Sequence, residues 1–158
     1  MDLKRGGFME IRVATEVFEP QKNYYNVNFE FFGKYLSIDE EIKLRERRTC
    51  FYANSKEDLQ VLIDERIKEF EVIAEEELML KSFIKNIREY GYSRKLAIKE
   101  VIRDGFKVGF NYDFMGSATI DRINNKSFTI TDICNRKHYI DEKYINSLLL
   151  NQFYVVKE

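Results

Sequence analysis

Chemistry in this chain has few residues to work with. It holds one histidine, His138, and two cysteines, Cys50 and Cys134. Cys134 and His138 stand four residues apart, but zinc takes three or four protein ligands, and only Cys50 could add a second thiolate. A buried thiol beside a surface imidazole accounts for the pair. Glu41-Ile42-Lys43 matches the Glu-x-Lys fragment of many metal-dependent nucleases, yet Asp39 is too close in sequence to serve as its partner carboxylate. Gly6-Gly7 and Gly105–Gly109 lack both the spacing of a phosphate-cradling loop and the helix that must follow one. The expectation is a protein with no catalytic residues, no metal and no cofactor.

Charge is the stronger signal. Between Ser55 and Leu80 there are nine acidic and three basic residues, a net of −6. Between Lys81 and Lys107 there are eight basic and three acidic, a net of +5, and each flanking segment sums to zero. A solvated helix face is the usual cause of such runs, and pairs such as Glu77 with Lys81 also support helicity. The one-sidedness exceeds what capping needs. Glu65, Glu69, Glu76 and Glu77 are therefore candidate contacts to a protein partner with a basic surface, such as the nucleic-acid groove of another protein. The basic half suggests an alternative. A helix, Tyr90-Gly91-Tyr92-Ser93 and a second helix have the length of a helix-turn-helix, with Arg94, Lys95, Lys99 and Arg103 as candidate nucleic-acid contacts and the next hairpin as a wing. Arg94 falls where such motifs place an apolar core residue.

The elements that must position these residues are legible as periodicity. Apolar side chains alternate at Met9, Ile11, Val13 and Val17, and again at Tyr25, Val27, Phe29 and Phe31. A three-residue loop at Pro20–Lys22 would set Val17 opposite Tyr25 and Val13 opposite Phe29, all on one face. Gly33–Asp39 reads as a connection anchored by Tyr35 and Leu36. A third strand over about 41–53, with allowance for a bulge, puts Ile42, Leu44, Cys50 and Tyr52 on one face and a basic row, Lys43, Arg45 and Arg47, on the other. Ser55 caps a long helix whose seam runs through Leu59, Ile63, Ile67, Phe70 and Ile73, then Leu78, Leu80, Phe83, Ile84 and Ile87, with a soft point at Glu75–Glu77. Gly91 ends it. Ser93 caps a short helix closed by Gly105.

A strand over 106–114 follows, then a hairpin of 118–123 and 127–133. Ile120 and Ile130 share a face only if the loop Asn124-Asn125-Lys126 has odd length, so a bulged three-residue turn is predicted. Asp141 caps a last helix reaching about Leu150, and Phe153–Val156 forms a closing strand. Together these give a single α+β domain over 1–158, with N-terminal antiparallel strands (8–54), a long central helix and a short one (55–104), and a small antiparallel unit with a terminal helix (106–158). Residues 1–7 are polar and expected to fray.

A net charge of −1 excludes bulk attraction to polyanions as the whole basis of function. No apolar run reaches membrane-spanning length, so no membrane partner is expected, and two cysteines suit a reducing cytosol. The chain is rich in Phe, Tyr, Ile, Asn and Lys and has no Trp, a bias of AT-rich coding. With the acidic set from Glu57 to Glu77 and the plain β-sheet before it, this profile resembles accessory proteins of phages and mobile elements of low-GC bacteria. Within that group it is most similar in character to anti-CRISPR inhibitors. The resemblance implies a stoichiometric, non-enzymatic inhibitor of a nucleic-acid-handling enzyme in the bacterial cytoplasm, with a CRISPR effector nuclease as the leading target. The basic half departs from a pure DNA mimic, so occlusion of an active site is as compatible as mimicry. A DNA-binding transcriptional regulator is the alternative.

Overall fold

The computed structural model describes residues 9–35, 40–111 and 116–158. The expected fraying of 1–7, the anchor Leu36, Asp39 and the last three residues of the strand expected over 106–114 lie outside these residues. The architecture is α+β. Three strands, β1 (Met9–Gln21), β2 (Tyr24–Tyr35) and β3 (Glu41–Tyr52), form an antiparallel sheet in that order. A long helix, α1 (Lys56–Arg88), and a short one, α2 (Arg94–Arg103), follow. The remaining strands are β4 (Phe106–Asn111), β5 (Ser117–Ile123), β6 (Ser127–Asp132), β7 (Lys137–Asp141) and β8 (Phe153–Lys157), with α3 (Glu142–Ser147) between the last two. They form a second antiparallel sheet in the order β7-β6-β5-β4-β8. The chain divides into two compact units, Met1–Leu78 and Met79–Glu158, with the division inside α1.

Within the first unit, one face of the sheet is a hydrophobic layer. Tyr25, Val27, Phe29 and Phe31 are buried, as the alternation requires. Their partners correct the expected register. Val17 pairs with Val27 and Val13 with Phe31, because the turn is a two-residue Lys22-Asn23 turn with Asn23 in the left-handed region. A two-residue turn alone would put the two apolar sets on opposite faces. A bulge between Phe18 and Gln21 restores the match, and it holds Pro20, which has no N–H to give to a ladder.

A second bulge changes β3. Phe31 pairs with Arg45 but Phe32 pairs with Lys43, leaving Leu44 as the extra residue. Beyond it the faces exchange. Phe51 is buried while Cys50 and Tyr52 are exposed, contrary to the even-numbered apolar face expected from sequence. The basic row is divided as well. Lys43 stays on the outer face near Glu46 at 3.5 Å, whereas Arg45 and Arg47 stand opposite Phe31 and Phe29 on the helix-bearing face.

The N-terminal part of α1 lies on that face. Ser55 Oγ accepts from the Asp58 amide at 3.1 Å, the expected cap. Leu59, Ile63, Ala74 and Leu78 are buried, so Ala74 carries the seam through the glutamates without a break in the helix. Phe70 meets Phe29 edge-on at 5.6 Å and Phe31 at 5.9 Å. Two guanidiniums, Arg47 and Arg66, stand 5.8 Å from its ring centroid.

In the second unit, Phe106, Val108 and Phe110 of β4 join Ile120, Phe128, Ile130 and Phe153 in the core. The caps are as expected: Gly91 and Gly105 have positive φ, Ser93 Oγ accepts from the Leu96 amide, and Asp141 accepts from the Lys143 amide. Ile120 pairs directly with Ile130. The turn is again shorter than expected: Asn124 N–H donates to the Ser127 carbonyl around Asn125-Lys126, and a bulge between Ile120 and Arg122 supplies the odd residue. β7, an edge strand with exposed Tyr139, was not visible as a strand in the sequence. The last helix ends at Ser147, and a 3-10 turn, Leu150–Gln152, leads into β8.

Candidate functional site

At about 100° per residue, the buried seam of α1 leaves the opposite half of the helix to solvent. Glu57, Asp58, Asp64, Glu65, Glu69 and Glu71 are all exposed there, with Lys68 as the one exposed cation among them. Val61 and Val72 lie in the same stripe and are 57% and 39% exposed. Periodicity did not single out these two valines, because each falls off the apolar seam and reads as a neutral surface residue.

The four acidic candidates do not behave alike. Glu65 and Glu69 lie on the open face, Glu69 within 3.2 Å of Arg66 Nε. Glu76 is half-buried. Glu77 is turned to the sheet: Arg45 Nε donates to its carboxylate at 2.7 Å, and its side chain is 20% exposed. The structure therefore brings Glu65 and Glu69 together with Glu57, Asp58, Asp64 and Glu71, and places Glu77 in the packing between helix and sheet.

The four basic candidates on α2 are also unequal. Arg94 lies over the Phe153 ring at 5.4 Å and donates to the Ile145 carbonyl at 3.5 Å, so it fills the core-facing position flagged by its spacing. Burial lowers its pKa. Lys95 donates to the Asn125 carbonyl at 2.8 Å. Arg103 bonds to Glu100 and lies 3.6 Å from Asp104. Lys99 is exposed and has no partner among the described residues. The strand after α2, β4, is paired on both sides, with β5 and β8.

Residues read for chemistry are engaged otherwise. Arg12 bonds Glu41 at 2.8 Å and holds its carboxyl below the usual carboxylate range. Cys134 is exposed, not the buried thiol expected. His138 Nε2 lies 2.8 Å from Asp132 Oδ2; a carboxylate only accepts, so Nε2 carries the proton. Asp132 also accepts from the Cys134 and Arg136 amides, both at 2.9 Å, which makes it the organiser of the β6–β7 turn. The His138 bond, then the Arg136 amide, holds its carboxyl at about 2. Among the described residues no three His, Cys, Asp or Glu side chains group to hold a metal, and no helix is long and apolar enough to cross a membrane.

No protein-family model, curated protein or solved structure matches this chain.

Proposed function

We propose that this chain is a non-enzymatic, protein-binding inhibitor of a nucleic-acid-handling enzyme, with a CRISPR effector nuclease as the first target to try. It docks through the open face of α1 onto a basic surface and occludes it. The observation that carries this reading is the segregation of six exposed acids onto the solvent half of α1 around Val61 and Val72. The acids steer encounter and set orientation, and the valines offer apolar contact once water is excluded.

At about 100° per residue the six acids fall in two rows, Glu57, Asp64 and Glu71 on one side of Val61, Lys68 and Val72, and Asp58, Glu65 and Glu69 on the other. From Glu57 to Glu71 the helix rises about 21 Å at about 1.5 Å per residue, which is the length of basic surface that the two rows would meet.

The DNA-regulator reading draws less from the geometry. Three of its four cations are committed within the fold, and β4 is interior to a sheet.

The direct test is cleavage of target DNA by purified CRISPR effector nucleases, with the chain titrated in. Stoichiometric loss of cleavage that is abolished by Glu65→Lys with Glu69→Lys supports the proposal. Full cleavage by every effector tried, at saturating chain, removes the CRISPR target. Inhibition untouched by the charge reversal removes the acidic face.

A further inference from the structure

Arg88, in the last turn of α1, and Arg94, the first residue of α2, line one cleft of about 480 Å³ together with Asn146 and Asn151. No carboxylate is among its lining residues. Arg88 makes no ion pair among the described residues, and Arg94 has a ring and a carbonyl for company but no acid. Two arginines thus line one space, and none of the residues lining it is an acid. We propose that this cleft binds a phosphoryl group.

The chemistry selects the ligand. A guanidinium carries five N–H donors and accepts nothing, so an anion is required. Arg94 spends one donor on the Ile145 carbonyl and lies 5.4 Å from the Phe153 ring centroid, which leaves four of its five donors for a ligand. A carboxylate is saturated by one guanidinium fork. A phosphoryl group has further oxygens, spread tetrahedrally, that a second guanidinium from another element can reach. Asn146 and Asn151 add neutral amide donors at the same cleft. Partial burial already disfavours the charged form of Arg94, a cost that a bound anion offsets. The positive end of the α2 dipole acts in the same sense. The volume lies within the range of small-ligand sites, and Leu149 stands exposed at the rim to meet a sugar or base. The phosphoryl group can belong to a free nucleotide or to a nucleic-acid backbone, and the chemistry of the cleft is the same for both. The site lies in the second unit and is independent of the acidic face, so either can fail alone.

The test titrates the full chain with inorganic phosphate, with AMP, and with labelled single-stranded and duplex oligonucleotides at low and physiological salt. At least one of these binds, and Arg88→Gln weakens it about tenfold or more. Arg88 is exposed, so its variant retains the fold. Arg94→Lys keeps the charge but loses the fork and also weakens binding. Lys22→Gln, in the β1–β2 turn of the first unit and outside the cleft, leaves the affinity unchanged. Binding of phosphate or AMP identifies a free ligand. Binding of oligonucleotides alone, with a salt slope that Arg88→Gln reduces, identifies a backbone contact. No binding of any probe overturns the proposal, as does an equal loss in Lys22→Gln and Arg88→Gln, which would mean diffuse attraction.

Discussion

Arg45 donates to Glu77 at 2.7 Å because the bulge at Leu44 turns Arg45 from the outer face of the sheet to the face covered by α1. That pair withdraws one glutamate from the acidic run and leaves the exposed ones on the opposite side of the helix. Both side chains are partly screened from water, so the bond should count for more than an open surface pair. Glu77→Ala is expected to cost about 1.5–3 kcal/mol, the range for a hydrogen bond to a charged group. Glu65→Ala should stay within about 0.5 kcal/mol. Urea unfolding of the two variants checks the ranking, and equal losses would place Glu77 in solvent.

Core truncation should report on the two units. Phe29 and Ile130 are each fully buried, one in either unit, as the apolar alternation predicts. Phe29→Ala should cost about 3–5 kcal/mol and Ile130→Ala about 2–5 kcal/mol. Equilibrium unfolding measures both, and a loss under about 0.5 kcal/mol at either site would mean that its strand does not face the core.

The β6–β7 turn should be acid-sensitive. Asp132 has its carboxyl held at about 2, against an ordinary value of 3.8, chiefly by the bond from His138. As pH falls, the unfolded chain takes up this proton first, so stability decreases. The contribution is complete above about pH 5 and is lost as pH falls through about 2. Urea midpoints measured across that window should fall further for the wild type than for Asp132→Asn, which has no proton to gain there. Parallel curves would show that the turn does not titrate through Asp132.

What sequence alone conveys, and what it does not, follows from how local each signal is. Ser55, Ser93 and Asp141 cap helices, and Gly91 and Gly105 end them, because a cap depends only on a few neighbouring residues. Faces of strands were legible at Phe29, Phe31, Ile120 and Ile130, since alternation is also local. Registers were not. Bulges between Phe18 and Gln21, at Leu44, and between Ile120 and Arg122 each shift one strand against its partner, and no single strand's pattern encodes that. The candidate site inherits this. The exposure of Glu65 and Glu69 follows from helix periodicity, but the orientation of Glu77 depends on Arg45, whose face was reversed by a bulge in another element. The cleft of Arg88 and Arg94 was hidden for a similar reason, because Asn146 and Asn151 lie more than fifty positions away along the chain.

The central claim is that the open face of α1 docks on a basic surface, and the association rate tests it most directly. Binding of the wild type to an inhibited effector should be followed by stopped flow at rising salt, beside a variant with Asp64, Glu65 and Glu69 reversed to Lys. Lys is an equally good helix former, so the fold is retained. The rate for the wild type should fall steeply as the screening length shrinks from about 30 Å at 0.01 M toward about 8 Å at 0.15 M. The variant should associate slowly at low salt, with a flat or inverted dependence. Equal rates and equal salt dependence in the two proteins would contradict the account and leave the acidic run as a solvated helix face.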